Sequence, residues 1–121
     1  VATRAHYRAP KPGHGAQALH ADYTPGTYAP PYQVATVIIP LVNFTNVNGA
    51  TRVIAGSHRR PFAVSKESGK PHPDETIICA DAGSAIVFNG HLLHSGTRNN
   101  SSELREALQI TYARSGALIF Y

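Results

Sequence analysis

The sharpest chemistry in this chain lies in His20 and Asp22, one residue apart, and in a later histidine, His94, at the end of an apolar segment. On an extended strand, positions i and i+2 project from the same face. His20 and Asp22 therefore offer one imidazole and one carboxylate to a single ion. A third ligand must come from elsewhere. Two histidines and one carboxylate on one triangular face, with the opposite positions open, form the iron(II) site of oxygenases. The open positions matter because a co-substrate and oxygen must both bind. The His-x-Asp triplet alone is a weak signal, since it also arises where a surface histidine pairs with an aspartate.

The run from Gly83 to Gly96 supplies the second histidine. His94 precedes Ser95–Ser102, a loop of mostly small polar residues that leaves room for ligands. His91 is its rival, three positions earlier, and on a strand the two face opposite sides. The adjacent loop and the spacing to Arg105, eleven residues on, favour His94. If Ser95–Ser102 closes a hairpin, Arg105 lies on the antiparallel neighbour of the His94 strand and points into the same cavity. Its planar fork of donors suits a dicarboxylate such as 2-oxoglutarate. The plainer reading pairs Arg105 with Glu103 or Glu106. Among the other histidines, His58 follows a Gly-Ser turn and reads as a loop residue bonded to backbone. His14 and His72 read as solvated. His6, alternating with Arg4 and Arg8, faces the cavity mouth or water.

The elements that must position these residues are strands. Nine prolines and ten glycines interrupt the chain, and the runs between them are rich in Val, Ile, Thr, Tyr and Phe. Strands are expected at Arg4–Arg8, Ala16–Asp22, Gln33–Phe44, Thr51–Ile54, Thr76–Ala80, Ser84–Phe88, a short segment ending at His94, Arg105–Arg114 and Ala117–Tyr121. In Gln33–Phe44 the face carrying Val37, Ile39 and Leu41 is the strongly apolar one. Asn48-Gly49 marks a tight turn. In Arg105–Arg114, Leu108, Ile110 and Tyr112 share a face opposite Arg105, Ala107 and Gln109. A helix over Ser101–Ala107 is disfavoured by the β-prone residues that follow. One domain over residues 1–121 with roughly eight short strands fits an all-β jelly roll of the cupin type, the double-stranded β-helix.

Composition narrows the function. Eleven Lys and Arg against seven Asp and Glu give a net charge of +4. The only tight basic cluster is His58-Arg59-Arg60, so nucleic acid is not the expected partner and a small anionic molecule suits the charge better. The single cysteine, Cys79, rules out an internal disulfide and a thiolate-rich zinc site. It reads as a small buried hydrophobe, in a chain expected in the reducing cytoplasm. No apolar run approaches the roughly 20 residues that cross a bilayer, so no membrane association is expected. Val1–Ala9 carries two arginines and does not resemble a signal peptide.

Three stretches together resemble the phytanoyl-CoA dioxygenase family of iron(II)/2-oxoglutarate oxygenases, in the branch of natural-product tailoring enzymes. They are Gln17-Ala18-Leu19-His20-Ala21-Asp22, Asn48 through Arg59, and Gly83 through His94 to Asn99 and Arg105. The resemblance runs from about Arg4 to about Arg114. It implies His20, Asp22 and His94 as the catalytic iron ligands and Arg105 as the anchor of the distal carboxylate of 2-oxoglutarate. It further implies that Gln17 and Thr51 hydrogen-bond the co-substrate and that Asn99 shapes the loop after His94. Molecular oxygen and a small organic substrate complete the implied reaction, which releases succinate and carbon dioxide. Related halogenases lack the carboxylate ligand, so Asp22 points to hydroxylation or a related oxidation. Two features depart from the family pattern: Ala55 stands where proline is usual, and Ser95 where glycine is usual. Family members normally carry a long, partly helical N-terminal region and further C-terminal sequence, so a trimmed core without flanking helices is expected. Two other readings remain: a cupin using another metal without 2-oxoglutarate, and a non-catalytic or truncated cupin-like metal-binding module.

Overall fold

The short runs between the prolines and glycines become short antiparallel strands. The structure, a computed structural model, describes residues 1–23 and 28–116. Its strands are β1 (Ala2–Arg8), β2 (Val34–Pro40), β3 (Thr51–Ile54), β4 (Glu75–Ile77), β5 (Ile86–Asn89), β6 (His94–Gly96) and β7 (Ala107–Ala113). The described residues contain no helix, including over Ser101–Ala107. The expected strand at Ala117–Tyr121 lies outside the described residues. Two sheets form, one of order β1-β7-β2-β5 and one of order β4-β3-β6. They face each other across a shared cavity, the jelly-roll arrangement of a double-stranded β-helix.

Strand β2 lies in the middle of the larger sheet, with Val37 opposite both Val87 and Ile110. Its inward face is Val34, Thr36, Ile38 and Pro40, all buried. The strongly apolar face carrying Val37 and Ile39 therefore points outward. The reason is chemical: the inward face must carry Thr36, whose hydroxyl serves the site. The outward face instead gathers Val37 and Ile39 with Val87, Leu108 and Tyr112, the last three exposed. Ile38, Phe44, Ala50 and Ala107 form the small apolar core below the cavity, with Ile77, Ile86 and Phe88 against it.

Ala16–Asp22 is not a continuous strand. His20 alone pairs, through a reciprocal backbone bridge with His94 (His20 N to His94 O 3.0 Å, His94 N to His20 O 2.9 Å). The hairpin expected between His94 and Arg105 is also absent. Strand β6 pairs with β3, whereas β7 pairs with β1 and β2 in the opposite sheet. After Gly96 the chain crosses between sheets, held by buried Asn99, whose Nδ2 donates to Pro10 O (3.0 Å) and Glu103 O (2.7 Å). Gly49 sits in the expected turn at φ +94°, where a side chain would press on the Thr97 carbonyl. Cys79 is exposed, with Sγ 3.3 Å from Asn46 Oδ1, and not buried as expected, because β4 ends at Ile77 before reaching it.

Candidate metal centre

The bridge between His20 and His94 sets the centre. It brings the two imidazoles to 4.6 Å between ring centroids. Asp22 follows two positions after His20, its own N–H bonded to Gly90 O (2.8 Å), so its carboxylate returns to the same face. One potential ligand atom from each of His20, Asp22 and His94 lies within 4.8 Å of the others. His94 is buried, while His20 stands at the mouth with its side chain 44% exposed.

Each imidazole is oriented by its own backbone. His20 Nδ1 donates to Ala18 O at 2.9 Å and His94 Nδ1 donates to Leu92 O at 2.8 Å. A carbonyl can only accept, so both Nδ1 atoms carry the proton and both Nε2 atoms are left as ligands. Asp22 Oδ1 lies 3.2 Å from His94 Nε2 and 4.0 Å from His20 Nε2. Three electron-pair donors thus converge, an arrangement that calls for a cation or a proton between them. Burial lowers the His20 pKa below its ordinary 6.5, which keeps the ring neutral and ready to ligate. Burial alone would raise the Asp22 carboxyl. The neighbouring His94 ring, then the Thr36 hydroxyl and His20, hold it below its ordinary value as a carboxylate.

A cavity of about 280 Å³ opens beside this triad, lined from both sheets by Gln17, Thr51 and Arg105 among others. Arg105 is 3% exposed; its guanidinium lies 4.4 Å over the Phe44 ring, and among the described residues it forms no ion pair and its Nε has no hydrogen-bond partner. The pairing with Glu103 or Glu106 is not formed, and Glu106 instead accepts the Tyr7 hydroxyl at 2.6 Å. Desolvation, and then the charge of Arg8, push the Arg105 pKa down to about 10. A buried cation with no carboxylate is costly unless an anion joins it. Gln17 spends its Oε1 on the Gly96 N–H (2.9 Å), and its side-chain amide nitrogen makes no bond among the described residues.

The other histidines fall elsewhere. His91 is buried outside the cavity, accepting the Gln33 N–H on Nε2 (2.9 Å) between Tyr23 and Tyr32. His58 rests against the Tyr32 ring with Nδ1 unbonded, not bonded to backbone as expected. His72 is half-buried and bonded to Ala63 O, whereas His14 is exposed. Sequence reasoning missed Thr36 and Arg52. Thr36 donates to Asp22 Oδ2 at 2.5 Å. Arg52, 2% exposed, donates to Ser95 Oγ, Lys70 O, Glu75 Oε1 and Gln17 O, tying the Gln17 and His94 segments together. The Gly49-Ala50-Thr51-Arg52 stretch was in view, but nothing in its residue types showed that the arginine would be buried.

The chain is similar to known proteins in sequence and in fold. "Dioxygenase ALT11" of Alternaria alternata is 33% identical over 110 residues, covering 84% of this chain and 34% of that protein. "Iron/alpha-ketoglutarate-dependent dioxygenase ausU" of Aspergillus calidoustus is 37% identical over 98 residues, 74% of this chain and 31% of that protein. The chain thus spans about a third of the length of the curated relatives it matches. The fold matches that of HygX from Streptomyces hygroscopicus, solved with iron bound. That match has TM-score 0.79 and 12% identity, and covers 100% of this chain and 61% of that one. It also matches AviO1 from Streptomyces viridochromogenes, at TM-score 0.76 and 22% identity over 98% of this chain and 52% of that one. Residues 2–107 match the family described as phytanoyl-CoA dioxygenase (PhyH), and the chain belongs to that family.

Proposed function

We propose that this chain is the core of an iron(II)- and 2-oxoglutarate-dependent dioxygenase that oxidises a small organic substrate. The observation that carries the reading is the pairing of two unsatisfied features in one cavity. At one end, donor atoms of His20, Asp22 and His94 converge within 4.8 Å of one another. At the other, the buried guanidinium of Arg105 pairs with no carboxylate among the described residues. A divalent metal chelated by a dicarboxylate keto acid meets both needs. The donor set, two imidazoles and one carboxylate, fits iron(II). When bound, the iron and keto acid supply the oxidising power, with 2-oxoglutarate converted to succinate and carbon dioxide.

The chain's own residues do the positioning. Asp22 and the two Nε2 atoms would hold the metal. Arg105 fixes the far carboxylate of the keto acid, and the Gln17 amide nitrogen and Thr51 hydroxyl bond it along its length. Buried Ile38 and Ala107 line the cavity floor and limit water. Hydroxylation is the favoured outcome because the carboxylate ligand is present.

The test is succinate formation. The protein with iron(II), 2-oxoglutarate and oxygen is expected to form succinate slowly even without its substrate, and Asp22→Ala is expected to abolish this. A wild-type protein that binds both metal and keto acid yet forms no succinate would overturn the enzyme reading in favour of a metal-binding module.

A further inference from the structure

The cavity holds a second, half-buried cation that the metal centre does not use. Arg8 lies on β1 directly opposite Ala107 of β7. Arg105 precedes Ala107 by two positions and so shares its inward face. The two guanidiniums are diagonal neighbours on one wall, and both line the cavity. Neither forms an ion pair among the described residues. Arg8 donates from Nη2 to Gly15 O at 3.0 Å, which fixes its head over Gly96. A Cβ on Gly96 would come within 3.0 Å of that nitrogen, so the absent side chain is what gives the guanidinium its place.

The charge balance sharpens the point. The cavity lining sets the guanidiniums of Arg8 and Arg105 against one carboxylate, Asp22. Asp22 is already engaged by Thr36 and the histidines. A divalent metal would make the excess larger still. An anion that meets both Arg8 and Arg105 would offset the two charges.

We propose that Arg8 and Arg105 form a two-guanidinium seat for the distal carboxylate of the keto acid, so that Arg8 enforces a dicarboxylate over a monocarboxylate. This rests on the 2-oxoglutarate reading above. Arg8 is a co-substrate-binding residue, not a metal ligand. The Gly15 carbonyl presets its orientation before the acid arrives, so little ordering remains to be done on binding.

Calorimetric titration of the zinc(II)-loaded protein, which cannot turn over, tests this. Two acids are compared: 2-oxoglutarate, and 2-oxobutyrate, which keeps the chelating head and lacks the distal carboxylate. Arg8→Gln is expected to weaken 2-oxoglutarate roughly tenfold to a hundredfold. It should leave 2-oxobutyrate and zinc within about twofold, as expected of a group that meets only the distal end. Arg8→Lys, which keeps the charge but not the fork, should fall between; if Arg8→Gln does not fold, the ratio of the two acids in Arg8→Lys carries the test. Unchanged 2-oxoglutarate affinity, or equal weakening of both acids, would overturn the proposal while leaving the co-substrate reading intact. A wild-type protein that binds zinc but neither acid would overturn both.

Discussion

Thr36 donates its hydroxyl to Oδ2 of Asp22 at 2.5 Å, which leaves Oδ1 as the oxygen facing both imidazoles. The hydroxyl is fully buried on the inward face of β2, so this bond sets the carboxylate rotamer before any metal arrives. Thr36→Val removes the donor and keeps the shape. Metal affinity, read by competition with a chelator, is expected to fall about tenfold to a hundredfold. An unchanged affinity would show that Asp22 needs no such support.

His91 and His94 differ in role although they share one short segment. His94→Gln is expected to lose metal binding. His91→Gln should leave it within about twofold, since His91 points away from the cavity toward Tyr23 and Tyr32. Equilibrium dialysis against zinc(II) separates the two variants, and a loss in His91→Gln alone would refute the assignment.

His91 instead links stability to pH. Burial, then the charge of His58, holds its imidazole below the ordinary 6.5. Between the folded and unfolded pKa values the unfolded chain binds more protons, so stability rises with pH across that window. The contribution is complete above 6.5 and is lost as pH falls through the folded value. Protonation would also place a hydrogen on Nε2, where the Gln33 N–H is accepted. His6 and His20 shift in the same direction, so the His91 share is read as a difference. Urea midpoints between about pH 7 and 5 should fall less steeply in His91→Gln than in wild type. Parallel slopes would show that His91 does not titrate with folding.

Arg52 is the bolt beneath the site. It is buried and bonded to Ser95, Lys70, Glu75 and Gln17 at 2.6–3.0 Å. Arg52→Met leaves those acceptors and the Glu75 carboxylate without their partner. A loss of about 3–5 kcal/mol in denaturant unfolding is expected. A loss below about 1 kcal/mol, the scale of a surface pair, would mean that Arg52 is dispensable.

The sequence reading succeeded where a residue's period and neighbours fix its face. The i, i+2 spacing of His20 and Asp22 survives although their segment forms only one bridge, because that bridge is to His94 itself. The alternation of Leu108, Ile110 and Tyr112 against Ala107 and Gln109 is likewise as expected. It failed where long-range pairing decides. Arg105 reaches the cavity from the sheet opposite His94, and a loop of small polar residues does not reveal whether it turns back or crosses over. The inward face of β2 was not legible for the same reason: hydropathy alone would turn Val37 and Ile39 inward, but the hydrogen bond from Thr36 to Asp22 requires the other face. Arg52 was invisible because buried arginines are rare and only the fold shows the four acceptors that make this one tolerable.

The most direct test of the central claim is anaerobic titration of iron(II) into the protein with 2-oxoglutarate, following the weak visible charge-transfer band of the chelate. Wild type should develop the band, His94→Ala should not, and Arg105→Ala should need roughly tenfold to a hundredfold more keto acid to reach it. A folded wild-type protein that binds iron without the band, or one whose band is indifferent to Arg105, would contradict the account.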